Sequence, residues 1–253
     1  MSSENNRIGI SNLTIAIFVG LTGATLTLYQ RRFKVEATNK VITLEVSVFV
    51  IGLTGGIGTG KSLVSQFLQG LGAGLIDADK LGHQAYRPHS TAWDQVVAAF
   101  GTQITLPDEE IDRKKLGSIV FADTSKLDLL NAIMHPKIAE MAKVEIDNLK
   151  TQNFPVAVLE AAVLIEANWM SLVDEVWVTI APEELVVQRI QIRNKLSEEA
   201  IRSRVKSQLP QEERIAYAHV VINNDKDEHA LREQIKLLWE TRIEEKVKIN
   251  GQY

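Results

Sequence analysis

Hydrophobic positions along the chain alternate between short β-rich runs and stretches of helical spacing. Val46–Thr54 is a near-continuous run of β-branched and other apolar residues ending in glycines, which predicts a strand buried on both faces. Lys61–Leu71 places Leu63, Val64, Phe67, Leu68 and Leu71 at helical spacing, and Gly72 and Gly74 stop that helix. Leu75–Asp79 reads as a short strand running into acids. Lys80–Leu149 is mostly helical, interrupted by a turn at Leu106-Pro107-Asp108. Pro155–Ala161, Glu175–Ile180 and His219–Asn223 are further strands. Pro182 takes the first position of one helix, Ser197 caps another that ends before Pro210, and Glu228–Val247 forms a last amphipathic helix.

Strands that alternate with helices predict an α/β fold: a five-stranded parallel sheet flanked by helices, with chemistry gathered at the carboxyl ends of the strands. The helical stretch at about 82–150 is too long for a simple crossover. It reads as an insert suited to holding a second substrate.

The front of the chain follows a different pattern. No charged residue occurs from Ile8 to Gln30, whereas Arg7 precedes this run and Arg31, Arg32 and Lys34 follow it. The run is long enough to cross a bilayer as a helix. Three readings stand: a membrane anchor, a targeting segment, or an appendage that forms strands or stays poorly ordered. Residues 1–45 are therefore set apart as an extension and 46–253 as the folded domain.

Composition narrows the function. The 253 residues are 45% hydrophobic and 24% charged, ordinary globular values, and carry a net charge of −4. With no global positive field, nucleic acid is not expected as a partner, and phosphate recognition has to be local. The absence of cysteine excludes disulfides, thiolate metal sites and cysteine nucleophiles. The five histidines are too scattered for a metal site, and a structural role is expected for His135.

The strongest chemical signal is Gly55-Gly56-Ile57-Gly58-Thr59-Gly60-Lys61-Ser62, a full G-x-x-x-x-G-K-[ST] motif between a strand and a helix. Its glycines let consecutive N–H groups turn toward phosphate, and the helix terminus adds partial positive charge. Lys61 is placed to reach the β- and γ-phosphates of a nucleoside triphosphate, and Ser62 to join a Mg²⁺ shell. Asp79-Lys80-Leu81-Gly82 and Asn194-Lys195-Leu196-Ser197 imitate GTPase motifs, but the first falls too soon after Lys61 and the second lacks its Asp. A small-molecule kinase remains. Alternation along an extended strand puts Asp77 and Asp79 on one face beside the loop. Asp79 is then the candidate base for an acceptor hydroxyl, and Asp77 a helix cap or outer magnesium partner. Arg189 and Arg193, spaced i, i+4, either close over the phosphates or form a solvated basic face.

These residues, with Leu130-Asn-Ala-Ile-Met-His-Pro136 and Ala162-Val-Leu-Ile-Glu166, resemble the dephospho-CoA kinase family from about Val48 to Asp225. Leu81–Pro88 and Glu160–Trp169 look most like the kinase domain of the animal bifunctional coenzyme A synthase. No His-x-Gly-His motif accompanies them, and the extension is too short for that enzyme's other half, so a single activity is expected. The resemblance implies a P-loop kinase core with a helical CoA-binding insert at about 82–150 and a lid at about 182–210. It implies phosphorylation of the 3′-hydroxyl of dephospho-CoA by ATP with Mg²⁺, in the cytoplasm or mitochondria. Asp79, Lys61, Arg189 and Arg193 match its catalytic positions. Gly55, Gly58, Thr59, Gly60, Lys61, Ser62, Leu63 and Asn223 match its ATP contacts, and Ser62 its metal position. Glu160 departs from the Asp usual there, and Ala162 from a frequent Pro. Another P-loop kinase, or a membrane-tethered nucleotide-binding protein without catalysis, is the alternative. Oligomeric state is not legible.

Overall fold

A computed structural model describes residues 32–37, 40–45 and 47–246. The uncharged run at 8–30 lies outside them. Within the extension, β1 (Arg32–Ala37) and β2 (Lys40–Glu45) pair as an antiparallel hairpin. No helix among the described residues is long and apolar enough to cross a membrane.

The main sheet comprises β3 (Phe49–Gly55), β4 (Gly74–Asp77), β5 (Val156–Glu160), β6 (Glu175–Ile180) and β7 (Val220–Asn223). Its order is β4-β5-β3-β6-β7 and every pairing is parallel. β3 is central and all seven of its residues are buried, which explains its unbroken apolar sequence. From β3 the chain moves outward to one side, then returns to the other. The crevice at the carboxyl end of β3 is thus the topological switch point where ligands of such sheets bind.

One face packs against α1 (Lys61–Gly70) and α9 (Glu228–Leu238), where Val64, Leu68, Leu231 and Ile235 meet Leu53, Val158 and Ile222. The other face is covered by the helical region α2 (Ala78–Ala85), α3 (Thr91–Phe100), α4 (Arg113–Phe121) and α5 (Thr124–Thr151). This region occupies the stretch where the sequence predicts an insert. Trp169 anchors it: its Nε1 donates to the His135 carbonyl and the two rings meet edge to face. Burial lowers the His135 pKa. α6 (Glu183–Asn194), α7 (Glu198–Lys206) and α8 (Gln211–Ala216) pack over the carboxyl end of the sheet, with a small core of their own around Val186, Ile190 and Ile201.

Three expectations need correction. β4 ends at Asp77 and α2 starts at Ala78, so Asp79 sits in the first helical turn and does not continue the strand. The Asp77 side chain accepts from Lys80 N, and that cap is what ends the strand. Pro182 caps α6 from just outside the helix and is not its first residue. The last helix does not run uniformly to Val247: α9 stops at Leu238, and Trp239–Ile243 forms a wider π-type turn that buries both Trp239 and Ile243.

That turn places Arg242 and Lys246 against Glu175 at the start of β6. Burial alone raises a carboxyl pKa, but here hydrogen bonds from Arg242 Nε (2.8 Å), Lys246 Nζ and Trp177 Nε1 (2.9 Å) outweigh it and hold Glu175 at about 2. The lowered folded-state value makes this contribution present above the ordinary glutamate value of about 4.3, and lost as pH falls toward the folded value. Glu175→Gln is expected to cost roughly 2 kcal/mol at neutral pH, the low side for a broken buried pair because both cations are partly exposed. Thermal melts from pH 7 to pH 2.5 check this: the gap between the two proteins should narrow with acid, and a constant gap would refute the assignment.

Candidate active site

The loop between β3 and α1 owes its shape to left-handed glycines. Gly58 and Gly60 have φ of 76° and 98°. A Cβ on Gly60 would lie 2.2 Å from Asn224 Nδ2, and one on Gly58 would press on Val186 and Ile190 of α6. Side chains cap α2, α3, α4, α5, α7 and α9, and α6 and α8 carry glutamates in their first turns, but α1, entered through Gly60, has neither a side-chain cap nor an acid in its first turn. Its first N–H groups and its positive dipole end are therefore left for an anion.

The loop is held from behind. Thr59 Oγ1 donates to the Gly56 carbonyl at 2.8 Å and meets Thr179 Oγ1 of β6 at 2.7 Å. Asn224, buried just after β7, donates from Nδ2 to the Thr59 carbonyl at 2.9 Å, and its Oδ1 accepts from Arg189 Nη2 at 3.2 Å. On the other side Gln208, between α7 and α8, accepts from Ile57 N at 2.8 Å. Arg214 of α8, only 2% exposed, pairs with Glu166 Oε1 at 2.9 Å.

Lys61 donates to the Gly55 carbonyl at 3.1 Å. Burial lowers its pKa, the nearby Glu160 and Asp79 carboxylates oppose that shift, and the Arg214 and Arg193 charges add to it. Glu160, at the end of β5, accepts from Ser62 Oγ at 2.8 Å and from Ser65 Oγ at 2.6 Å. The Asp79 carboxyl is pushed above the usual aspartate range by burial and then by Asp77, with Lys61 pulling the other way. A cationic amine, two carboxylates and an uncapped helix end thus converge at the carboxyl ends of β3, β4 and β5. This arrangement suits holding phosphate and removing a proton from a hydroxyl beside it.

Of the residues singled out from sequence, the loop positions, Lys61, Ser62 and Asp79 come together. Leu63 is half buried beside the α1 core. Arg189 reaches the loop through Asn224. Arg193 is exposed, bonded to Asn194, with its charge felt at Lys61. Asn223 points outward to Asp225 at 3.1 Å, and its neighbour Asn224 contacts the loop. Sequence reasoning missed Gln208 and Arg214, and chose Asn223 where the adjacent Asn224 makes the contact. Among the described residues no cluster of three or more His, Cys, Asp or Glu could hold a metal.

Residues 49–229 match the family model described as dephospho-CoA kinase. A dephospho-CoA kinase from Geobacter sulfurreducens is 46% identical over 194 residues, covering 77% of this chain and 98% of its own. One from Carboxydothermus hydrogenoformans is 42% identical over 186 residues, covering 74% and 90%. The solved dephospho-CoA kinase from Campylobacter jejuni superposes with a TM-score of 0.59 at 29% identity, covering 79% of this chain and 98% of that one.

Because the Gly60 methylene faces Asn224, Gly60→Ala is expected to abolish thermal stabilisation by a nucleoside triphosphate. Gly70→Ala at the open end of α1, where an added methyl meets nothing, should leave it intact. Melting curves with and without nucleotide check the pair.

Proposed function

The chain belongs to the dephospho-CoA kinase family, and on that premise we propose that it transfers the γ-phosphoryl group of ATP to the 3′-hydroxyl of the dephospho-CoA ribose, giving coenzyme A. The observation that carries this reading is the position of Asp79, in the first turn of α2 beside Lys61 and Glu160. There a carboxylate flanks the phosphate cradle on the side of the helical region.

Lys61 and the N–H groups of the loop and of the start of α1 hold the β- and γ-phosphates and meet charge that builds in the transition state. Asp79 takes the proton of the acceptor hydroxyl as its oxygen attacks the γ-phosphorus, and ADP leaves with the bonding electron pair. Ser62 and Glu160 offer a hydroxyl and a carboxylate, hard oxygen donors of the kind Mg²⁺ accepts alongside water and phosphate. Bound there, Mg²⁺ would neutralise phosphate charge. Glu160 in place of a shorter Asp keeps a carboxylate at the position, and Ser65 takes its second oxygen. α2–α5 serve as the acceptor-binding insert and α6–α8 as a lid carrying Arg189 and Arg193 toward the phosphates.

Asp79→Asn should abolish turnover and leave ATP binding nearly intact, whereas Lys61→Ala should weaken both. The Asp79 base must be ionised, so the rate should fall with pH through a limb above the ordinary aspartate value of about 4. Asp77→Asn retains the helix cap and removes the second-largest cause of that elevation. It should shift the limb to lower pH, as pH–rate profiles would show. An assay of ADP release with dephospho-CoA, AMP and pantothenate as parallel acceptors tests the substrate. Release dependent on AMP or pantothenate alone would favour another small-molecule kinase. Tight ATP binding with no acceptor-dependent release would favour a nucleotide-binding protein without catalysis.

A further inference from the structure

Among the described residues two buried side-chain nitrogens lack a hydrogen-bond partner, Arg189 Nη1 and Arg214 Nε. Both lie on the α6–α8 side of the phosphate loop. Arg189 is already tied to that loop through Asn224. Arg214 is a different case. A fully buried guanidinium is costly unless it is compensated, yet among the described residues its ion pair is with Glu166, itself partly exposed. Its other face is turned to the loop: a Cβ on Gly56 would lie 3.8 Å from Arg214 Nη1 and 3.4 Å from Gln208 Oε1. Gln208, six residues earlier in the chain, takes the N–H of the next loop residue, Ile57.

We propose that Gln208 and Arg214 are positioning residues that bracket the Gly56–Ile57 half of the phosphate loop, as Asn224 brackets its Thr59 half. This rests on the kinase reading above and assigns roles outside the motif. Arg214 lies against the loop itself, its Nη1 3.8 Å from where a Cβ on Gly56 would sit. It acts through the loop: its charge stands behind Gly56, and its bond to Glu166 ties α8 to the segment after β5. That segment in turn holds α5 through Trp169 and His135. The Gln208 carbonyl fixes the direction of the Ile57 peptide, hence of the glycine-rich turn that follows. The lid base and the loop therefore share their geometry, and a loop shifted by a fraction of an ångström should bind the triphosphate poorly.

The test uses the full chain, with kcat and KM measured separately for ATP and dephospho-CoA, and with ATP affinity measured by calorimetry in the absence of acceptor. Gln208→Met keeps the volume and removes the acceptor atom. The double variant E166Q/R214M removes both charges together, so no stranded carboxylate confounds folding. Both should melt close to the parent, bind ATP on the order of 10-fold more weakly or raise its KM by that factor, and leave the KM for dephospho-CoA unchanged. Arg214→Lys, which keeps the charge, should recover part of the loss. If the folded double variant binds ATP as the parent does, Arg214 is a structural ion pair only and the proposal fails. An equal effect on both substrates would also overturn it. Should the parent bind ATP but not phosphorylate dephospho-CoA, the kinase reading fails, while the calorimetric comparison still decides the bracket.

Discussion

A loop can aim its N–H groups at an anion only if its carbonyls and its left-handed glycines are held from outside. That constraint organises this molecule. Thr59 is fixed through Thr179 of β6 and Asn224 after β7, and Ile57 through Gln208 before α8. None of these partners is near the loop in sequence. They reach it because β3 is central, β6 and β7 lie to one side, and the chain leaves each strand at the same end. The sheet order is thus the means by which a glycine-rich turn becomes a rigid cradle.

The charge distribution follows the same geometry. The chain is acidic overall, yet Lys61, Arg189, Arg193 and Arg214 gather around one loop. Their opposite numbers, Asp77, Asp79 and Glu160, end the neighbouring strands or begin the following helix on the β4–β5 side. The cationic and acidic groups therefore line different sides of the crevice. The lowered Lys61 and raised Asp79 pKa values have the same first cause, burial in this crevice.

Much of this was legible in the sequence, for stated reasons. The inner strands β3, β5 and β6 are buried on both faces and so read as apolar runs. The phosphate motif is local and needs only its flanking strand and helix. The place of Asp79 beside Lys61 was legible although it lies in a helical turn and not in a strand, because a two-residue step past Asp77 brings it to the loop in either conformation. The residues that hold the loop were not legible. Arg214 follows Gln211-Glu212-Glu213 and reads as one more charge on a solvated helix, since nothing local says that its helix is pressed against Gly56 and Glu166. Asn223 and Asn224 are adjacent and chemically identical. Only the strand register, which turns Ile222 and Asn224 inward and Asn223 out, separates them. The widened turn at Trp239–Ile243 was equally hidden, because it serves Glu175, about 65 residues away.

The central claim is that the Lys61 cradle and the Asp79 carboxylate direct the γ-phosphoryl group of ATP to one hydroxyl. Phosphorus NMR of a reaction containing the protein, ATP, Mg²⁺ and dephospho-CoA tests it most directly. One new 3′-phosphomonoester resonance growing in step with ADP is expected. Phosphate released only as the inorganic ion, or a phosphomonoester on another hydroxyl, would contradict it.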